Sequence, residues 1–200
     1  IVIFTITVLT IMNKFFVPKE YYKASDFNIK TIYSESDYDN DNIDDYSDFV
    51  LGARKDAQKK PKYISKYYEK SYPPSNEGVC TDVIWRAFKQ AGYSLRDMMD
   101  QDIRNNPSDY PNIKTPDKNI DFRRVTNLKV FFDRNAINLS TDINKIEEWN
   151  PGDIVIFGEN YSHIGIISDK RNKDGIPYLI HNAGQLKREE NVLSRWANNK

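Results

Sequence analysis

The chain has 200 residues, 39% of them hydrophobic, and its 29 Lys and Arg balance its 29 Asp and Glu. That is room for one domain plus a tail, with enough apolar side chains for a core. Zero net charge argues against a nucleic-acid partner, which requires a basic excess to displace counterions from phosphates. A single cysteine, Cys80, excludes an internal disulfide and thiolate-rich zinc sites, and His163 and His181 are the only histidines.

Residues 1–18 open with an apolar run, Ile1 to Met12, followed by Lys14 and Phe15-Phe16-Val17-Pro18. The run is shorter than the ~20 apolar residues that span a bilayer. It fits the end of a truncated signal peptide or membrane anchor, with a buried strand as the alternative. Either export signal places the protein outside the cytoplasm, secreted or membrane-anchored. Residues 19–44 are rich in Asp, Asn and Ser and read as a mobile acidic linker. Asp37, Asp39, Asp41, Asp45 and Asp48 fall at positions 1, 3, 5, 9 and 12 of a calcium loop. Asn42 stands where that loop has Gly and Asp48 where it has Glu, so a solvated linker without metal is the expectation.

From Tyr46, the residues Phe49, Val50, Ala53 and Ala57 share a helical face, which Lys59-Lys60-Pro61 terminates. After the Glu77-Gly78 turn, Val83, Ile84, Ala87, Phe88 and Ala91 repeat at helical spacing, and Gly92 ends them. Cys80 therefore sits at a helix start, where free N–H groups and the positive dipole end favour a thiolate. A third helix is expected over 95–106, capped by Ser94, and a long polar loop over 107–121. Arg123 and Arg124 precede a helix from Val125 to about Arg134 and are candidates to clamp a substrate carboxylate. The period then changes. Strands are expected at 153–157, 161–168 and 176–182, joined as an antiparallel meander because the connections are too short for crossovers. Polar residues after Gly184 leave a last helix or strand.

His163 and His181 lie on the two arms of one predicted hairpin. A turn centred on Lys173 places them diagonally on one face, within reach of each other. A turn centred between Lys173 and Asp174 separates them. With the first register, Cys80 is a candidate nucleophile, His163 its base and His181 the group that orients the base. The Cys80 backbone N–H is a natural oxyanion donor.

Together, Gly78-Val79-Cys80-Thr81-Asp82-Val83, Asn119-Ile120-Asp121-Phe122-Arg123-Arg124, Pro151-Gly152-Asp153-Ile154-Val155, Ser162-His163-Ile164-Gly165-Ile166 and Ile180-His181-Asn182 resemble the NlpC-like branch of the papain-like cysteine hydrolases. Within that branch they are most similar to a bacterial domain family of unknown function. The likeness covers about Asp45 to Trp196. It implies an α+β, papain-like fold over 45–200, with N-terminal helices and the nucleophile helix packed on an antiparallel sheet. It implies a Cys80, His163, His181 triad that hydrolyses an amide bond without a cofactor or metal, often in the stem peptide of bacterial peptidoglycan. The sequence departs from the branch's usual Asp-Cys-Ser-Gly, having Val79-Cys80-Thr81-Asp82 instead, which turns attention to Asp82, with Arg123 and Arg124, as candidate substrate-binding residues. An acyl transferase or thioesterase on the same fold, and a non-catalytic cell-wall binding module, are the competing readings.

Overall fold

A computed structural model describes residues 19–197. The expected leader or anchor at residues 1–18 lies outside them. Helix α1 (Asp45–Lys59) starts where the Asp44 carboxylate accepts from the Ser47 N–H and ends at Lys60, which takes a left-handed φ of 49° before Pro61. Two short strands, β1 (Lys62–Tyr63) and β2 (Glu77–Gly78), pair in parallel and bring the chain to α2 (Cys80–Gln90). Helix α3 (Leu95–Asn105) is capped by Ser94 and turns Leu95, Met99 and Ile103 inward. Helix α4 (Val125–Asn135) buries Leu128 and Phe131.

The second half is the expected meander. Strands β3 (Ile154–Phe157), β4 (His163–Arg171), β5 (Pro177–Ile180) and β6 (Glu189–Glu190) form one antiparallel sheet in the order β3-β4-β5-β6. A short helix, α5 (Leu193–Ala197), follows. The chain after Gly184 thus supplies a strand and a helix. Alternation gives the sheet two buried faces. Ile164, Ile166 and Ile180 pack into the helical core with Val83, Ile84 and Ala87. Ile167 and Leu179 face a second cluster with Trp149, Val192 and Leu193. The molecule is therefore an α+β layer structure with α2 against the sheet. Among the described residues, no helix is long and apolar enough to cross a membrane.

The expected mobile linker is corrected by the structure. Tyr22 bridges to Arg171 through two backbone hydrogen bonds of 2.7 and 2.8 Å, and the Tyr38 ring stacks on Tyr93 at 4.2 Å. The Asp residues that made this segment look solvated are spent as local acceptors. Asp44 takes the Ser34 N–H at 2.8 Å and Asp45 takes the Tyr38 N–H at 2.9 Å. Carboxylates that satisfy backbone donors stabilise an irregular segment rather than disperse it.

Helices α1 and α2 approach closely at Gly52. A Cβ there would stand 2.6 Å from Gln90 Cβ and 2.8 Å from Ala87 Cα. Alanine raises helix propensity by up to ~1 kcal/mol over glycine, but here it must push the helices apart. Overpacking of this kind costs about 1–3 kcal/mol, and the clash is with a neighbouring helix's backbone, so it outweighs the propensity gain. Gly52→Ala is expected to lower the urea midpoint with the m-value unchanged. An unchanged or raised midpoint would show that the helices part freely.

Candidate active site

The Cys80 turn is built around Asp82, whose side chain is fully buried. One carboxylate oxygen accepts the Val79 N–H at 2.7 Å and Arg123 Nη2 at 3.0 Å. The other accepts Trp85 Nε1 at 2.7 Å and Arg123 Nε at 2.8 Å. Val79 is the residue before the helix, so this carboxylate satisfies a donor at the helix start while lying near the positive dipole end. Arg123 completes itself on the Lys66 carbonyl at 2.7 Å. Thr81 Oγ1 donates to the Arg123 carbonyl. Upstream, Arg86 holds the Pro74 and Glu77 carbonyls and pairs with Asp56, fixing the loop that delivers Gly78. Asn182, next to His181, donates to the Gly78 carbonyl at 3.2 Å and ties the histidine segment to the cysteine turn.

Strands β4 and β5 pair Ile166 with Ile180 and Ile167 with Leu179, the register of a turn centred on Lys173. A bulge between Ile167 and Arg171 absorbs an irregularity nearer the turn. The two histidines accordingly meet: His163 Nε2 lies 3.0 Å from His181 Nδ1. On the far side, His181 Nε2 lies 3.1 Å from Glu190 Oε1 on β6. A carboxylate only accepts, so His181 carries its proton on Nε2 and presents an unprotonated Nδ1. His163 then donates from Nε2, which leaves its Nδ1 as the basic nitrogen.

Gln185 steadies this arrangement. Its Oε1 accepts from the Ala183 N–H at 2.7 Å and Arg188 Nη1 at 2.9 Å, which fixes the amide orientation. Its Nε2 is 2.9 Å from His181 Nε2 and 3.3 Å from Nδ1. An atom that close to both ring nitrogens sits over the ring face, since in the ring plane it would collide with Cε1. It therefore points N–H at the π-face and does not compete with Glu190. Trp196 packs edge-on against both imidazoles, and Phe157 against His163.

Burial, and the neighbouring imidazole, push His163 down from 6.5 to about 4. Burial, with the charges of Arg188 and Arg195, pushes His181 down to about 4 as well. Glu190 stands close enough to pair with an imidazolium. Desolvation and the two arginines oppose that pairing, and both rings are neutral near pH 7. Burial also pushes the Cys80 thiol up from its ordinary value, against the N–H groups of Ile164 and Thr81 that would favour a thiolate. Cys80 is 4% exposed. The expected thiolate at the helix start is thus a protonated thiol in this state, because burial outweighs the helix-start donors.

The Ile164 N–H, one residue beyond His163, and the Tyr63 hydroxyl of β1 are near enough to act electrostatically on the Cys80 thiol. Among the described residues, no hydrogen bond joins Cys80 to His163 directly. A cavity of about 290 Å³ opens beside His163, lined by Phe157, Gly158, Ala183 and Trp196. A larger concavity of about 500 Å³ lies elsewhere, between Asn112 and Asn127, and includes none of these residues.

The candidate substrate-binding residues divide. Asp82 and Arg123 are bound to each other, 0% and 2% exposed at their side chains, with no free group to offer a ligand. The carboxylate clamped by Arg123 is the protein's own. Arg124 is exposed and lines the larger concavity rather than the histidine cavity. Three site residues were missed by sequence reasoning: Glu190, Gln185 and Tyr63. Glu190 is one of several charges in a polar tail, and only the β5–β6 pairing of Ile180 with Glu189 brings it to His181. Tyr63 is one of 13 tyrosines and gains meaning only from the β1–β2 pairing.

No solved structure matches this chain. A curated relative, the uncharacterized protein YijF of Escherichia coli K12, is 36% identical over 154 residues, which span 72% of this chain and 75% of that protein. Residues 50–199 match the family described as Domain of unknown function (DUF1287), and they contain every residue of the histidine relay and the cysteine turn. The chain belongs to that family.

Proposed function

We propose that this protein is a cysteine-dependent amide hydrolase of the NlpC-like, papain-like kind, acting on bacterial cell-wall peptide. The observation that carries the reading is the 3.0 Å bond between His163 Nε2, at the start of β4, and His181 Nδ1, just past the end of β5, where Asn182 ties the chain to the cysteine turn. That bond leaves His163 Nδ1 as the open base. In the reaction, the Cys80 sulfur attacks the amide carbon while its proton passes to His163 Nδ1. The Cys80 backbone N–H stabilises the oxyanion. His163 returns the proton to the leaving nitrogen, giving a free amine and a thioester. Water then attacks the thioester, His163 takes its proton, and the acid is released with the thiol restored. His181 holds the His163 ring, and Glu190 accepts from His181 and steadies positive charge that develops along the relay. Because thiol and imidazole are both neutral at rest, proton transfer accompanies attack instead of preceding it.

One observation favours the competing binding module: Cys80 is almost fully covered. Digestion of purified peptidoglycan, with products read by mass spectrometry, separates the two. The wild type is expected to release peptide fragments, and Cys80→Ala none, with its fold intact. His163→Ala should lose about 10²–10⁴-fold in rate. Glu190→Gln should lower kcat by a smaller factor with KM unmoved. Release by Cys80→Ala at the wild-type rate would sink the nucleophile assignment. Retained polymer binding without any wild-type release would favour the module.

The relay also sets a pH dependence. Each imidazole has a folded pKa of about 4 against an ordinary 6.5. Its contribution to stability is therefore complete above about 6.5 and is lost as pH falls towards 4. NMR titration of the imidazole Cε1–H signals should show neither ring protonating between pH 8 and about 5.5. A midpoint at or above 6.5 for either ring would contradict the buried neutral pair.

A further inference from the structure

We infer that the loop Asp37–Asp48 is a calcium site, independent of the cysteine chemistry. Oxygens of Asp37, Asp39 and Asp41 lie within 4.8 Å of one another. Three carboxylates alone are no site, since exposed acidic groups gather without a metal. The second observation is Asp48, in the first turn of α1. It is 0% exposed. Its Oδ1 accepts from Gln90 Nε2 at 3.1 Å, and its Oδ2 is buried with no partner. An unpaired buried carboxylate oxygen is costly.

Where that oxygen stands decides its partner. Gln90 ends α2, and Asp39 packs its Cβ against the position of Gly92, two residues on. Asp48 and Asp39 therefore both stand at the same end of α2, with Asp48 set back from the 4.8 Å cluster. Asp41, Asp39 and Asp45 act on the buried Asp48 as like charges. Among the described residues, no Lys or Arg pairs with Asp37, Asp39, Asp41 or Asp48. A hard divalent cation is the group that converts this repulsion into attraction.

The two departures from a calcium loop become intelligible here. Asn42, where Gly is usual, takes φ 72°, and asparagine is among the few residues other than glycine that visit this region. Asp48 is shorter than the usual Glu and has one oxygen engaged by Gln90, so it offers a single ligand. Asp45 lies outside the Asp37, Asp39 and Asp41 cluster and accepts from the Tyr38 N–H and the Tyr93 hydroxyl; Asp37 also accepts, from the Asp41 and Asn42 N–H groups, and keeps further lone pairs for a cation. A site with three exposed or half-exposed carboxylates and one buried oxygen suits the weaker class of calcium loops, with Kd of ~10⁻⁴–10⁻³ M.

The test uses the whole protein, stripped with chelator and titrated with CaCl2 by calorimetry, with thermal unfolding in parallel. One calcium per chain is expected, with a higher Tm at millimolar calcium than in chelator. Terbium should bind in its place, and its emission should be sensitised by Tyr38 and quenched by added calcium. Asp41→Asn and Asp48→Asn should each weaken calcium at least tenfold. Asp48→Asn relieves repulsion, so in chelator it should melt no lower than the wild type, which shows that its loss of binding is not a loss of fold. No heat and no Tm shift in the wild type at millimolar calcium would overturn the site. Calcium binding untouched by both substitutions would place the ion elsewhere and overturn it equally.

Discussion

The arrangement around Cys80 depends on one buried carboxylate. Asp82 accepts four hydrogen bonds, two from Arg123 and one each from Val79 and Trp85. Burying a charge pair is costly, and the mutual attraction offsets that cost only when the remaining hydrogen-bonding capacity is filled. Here it is. Arg123 is bound twice by the carboxylate, held by a backbone carbonyl and covered by the Tyr68 ring at 5.0 Å. The network joins three separate stretches: the 62–72 segment, the cysteine turn, and the short 3₁₀ turn before α4. A hydrophobic pair would contribute comparable stability there, but it would not fix the direction of the Val79 N–H and so the entry angle of the cysteine helix.

The histidine relay follows the opposite electrostatic logic. His181 is buried and His163 half-buried, and Arg188 and Arg195 repel a proton added to His181. The neutral forms win, and each hydrogen bond then runs one way, from His163 to His181 to Glu190. Direction matters because an imidazole has two inequivalent nitrogens, and the partner of one sets the state of the other. Glu190 thus acts at a distance of two rings on Nδ1 of His163. Its carboxylate is on a two-residue strand that pairs with β5, so the pairing of β6 is as much a part of the site as the rings are.

Much of this was legible in the sequence, and the reasons are local. The α2 pattern from Val83 to Ala91 marks a helix because its apolar residues recur at one spacing, and that alone puts Cys80 at a helix start. The hairpin itself followed from the turn residues 171–175, which left two registers open; the pairing of Ile166 with Ile180 is the even one that places His163 and His181 on one face. What escaped is what depends on contacts distant in sequence. Glu190 is one acidic residue among 29, and nothing nearby marks it as the one that accepts from a histidine; Asp82 stood out, but not its pairing with Arg123, 41 residues away. The 19–44 segment failed differently: composition counts its Asp residues as solvated charges, whereas the fold uses them as caps for backbone N–H groups.

Helix α2 connects the two regions of unusual chemistry. Its first residue is Cys80 and its last is Gln90, so a rise of about 15 Å separates the thiol's residue from the one that holds Asp48. The Asp82 network fixes the first end. The other end rests on Gly92, Tyr93 and the acidic loop, where Asp48 repels its neighbours unless a cation intervenes. A cation there touches none of the reacting groups. Its effect on the thiol is limited to how firmly the distal end of α2 is seated, because the cysteine turn is already fixed independently by Asp82 and Arg123. The proposed hydrolysis and the inferred metal binding are accordingly separable properties of one helix. Loss of the metal should cost thermal stability well before it costs the geometry at Cys80.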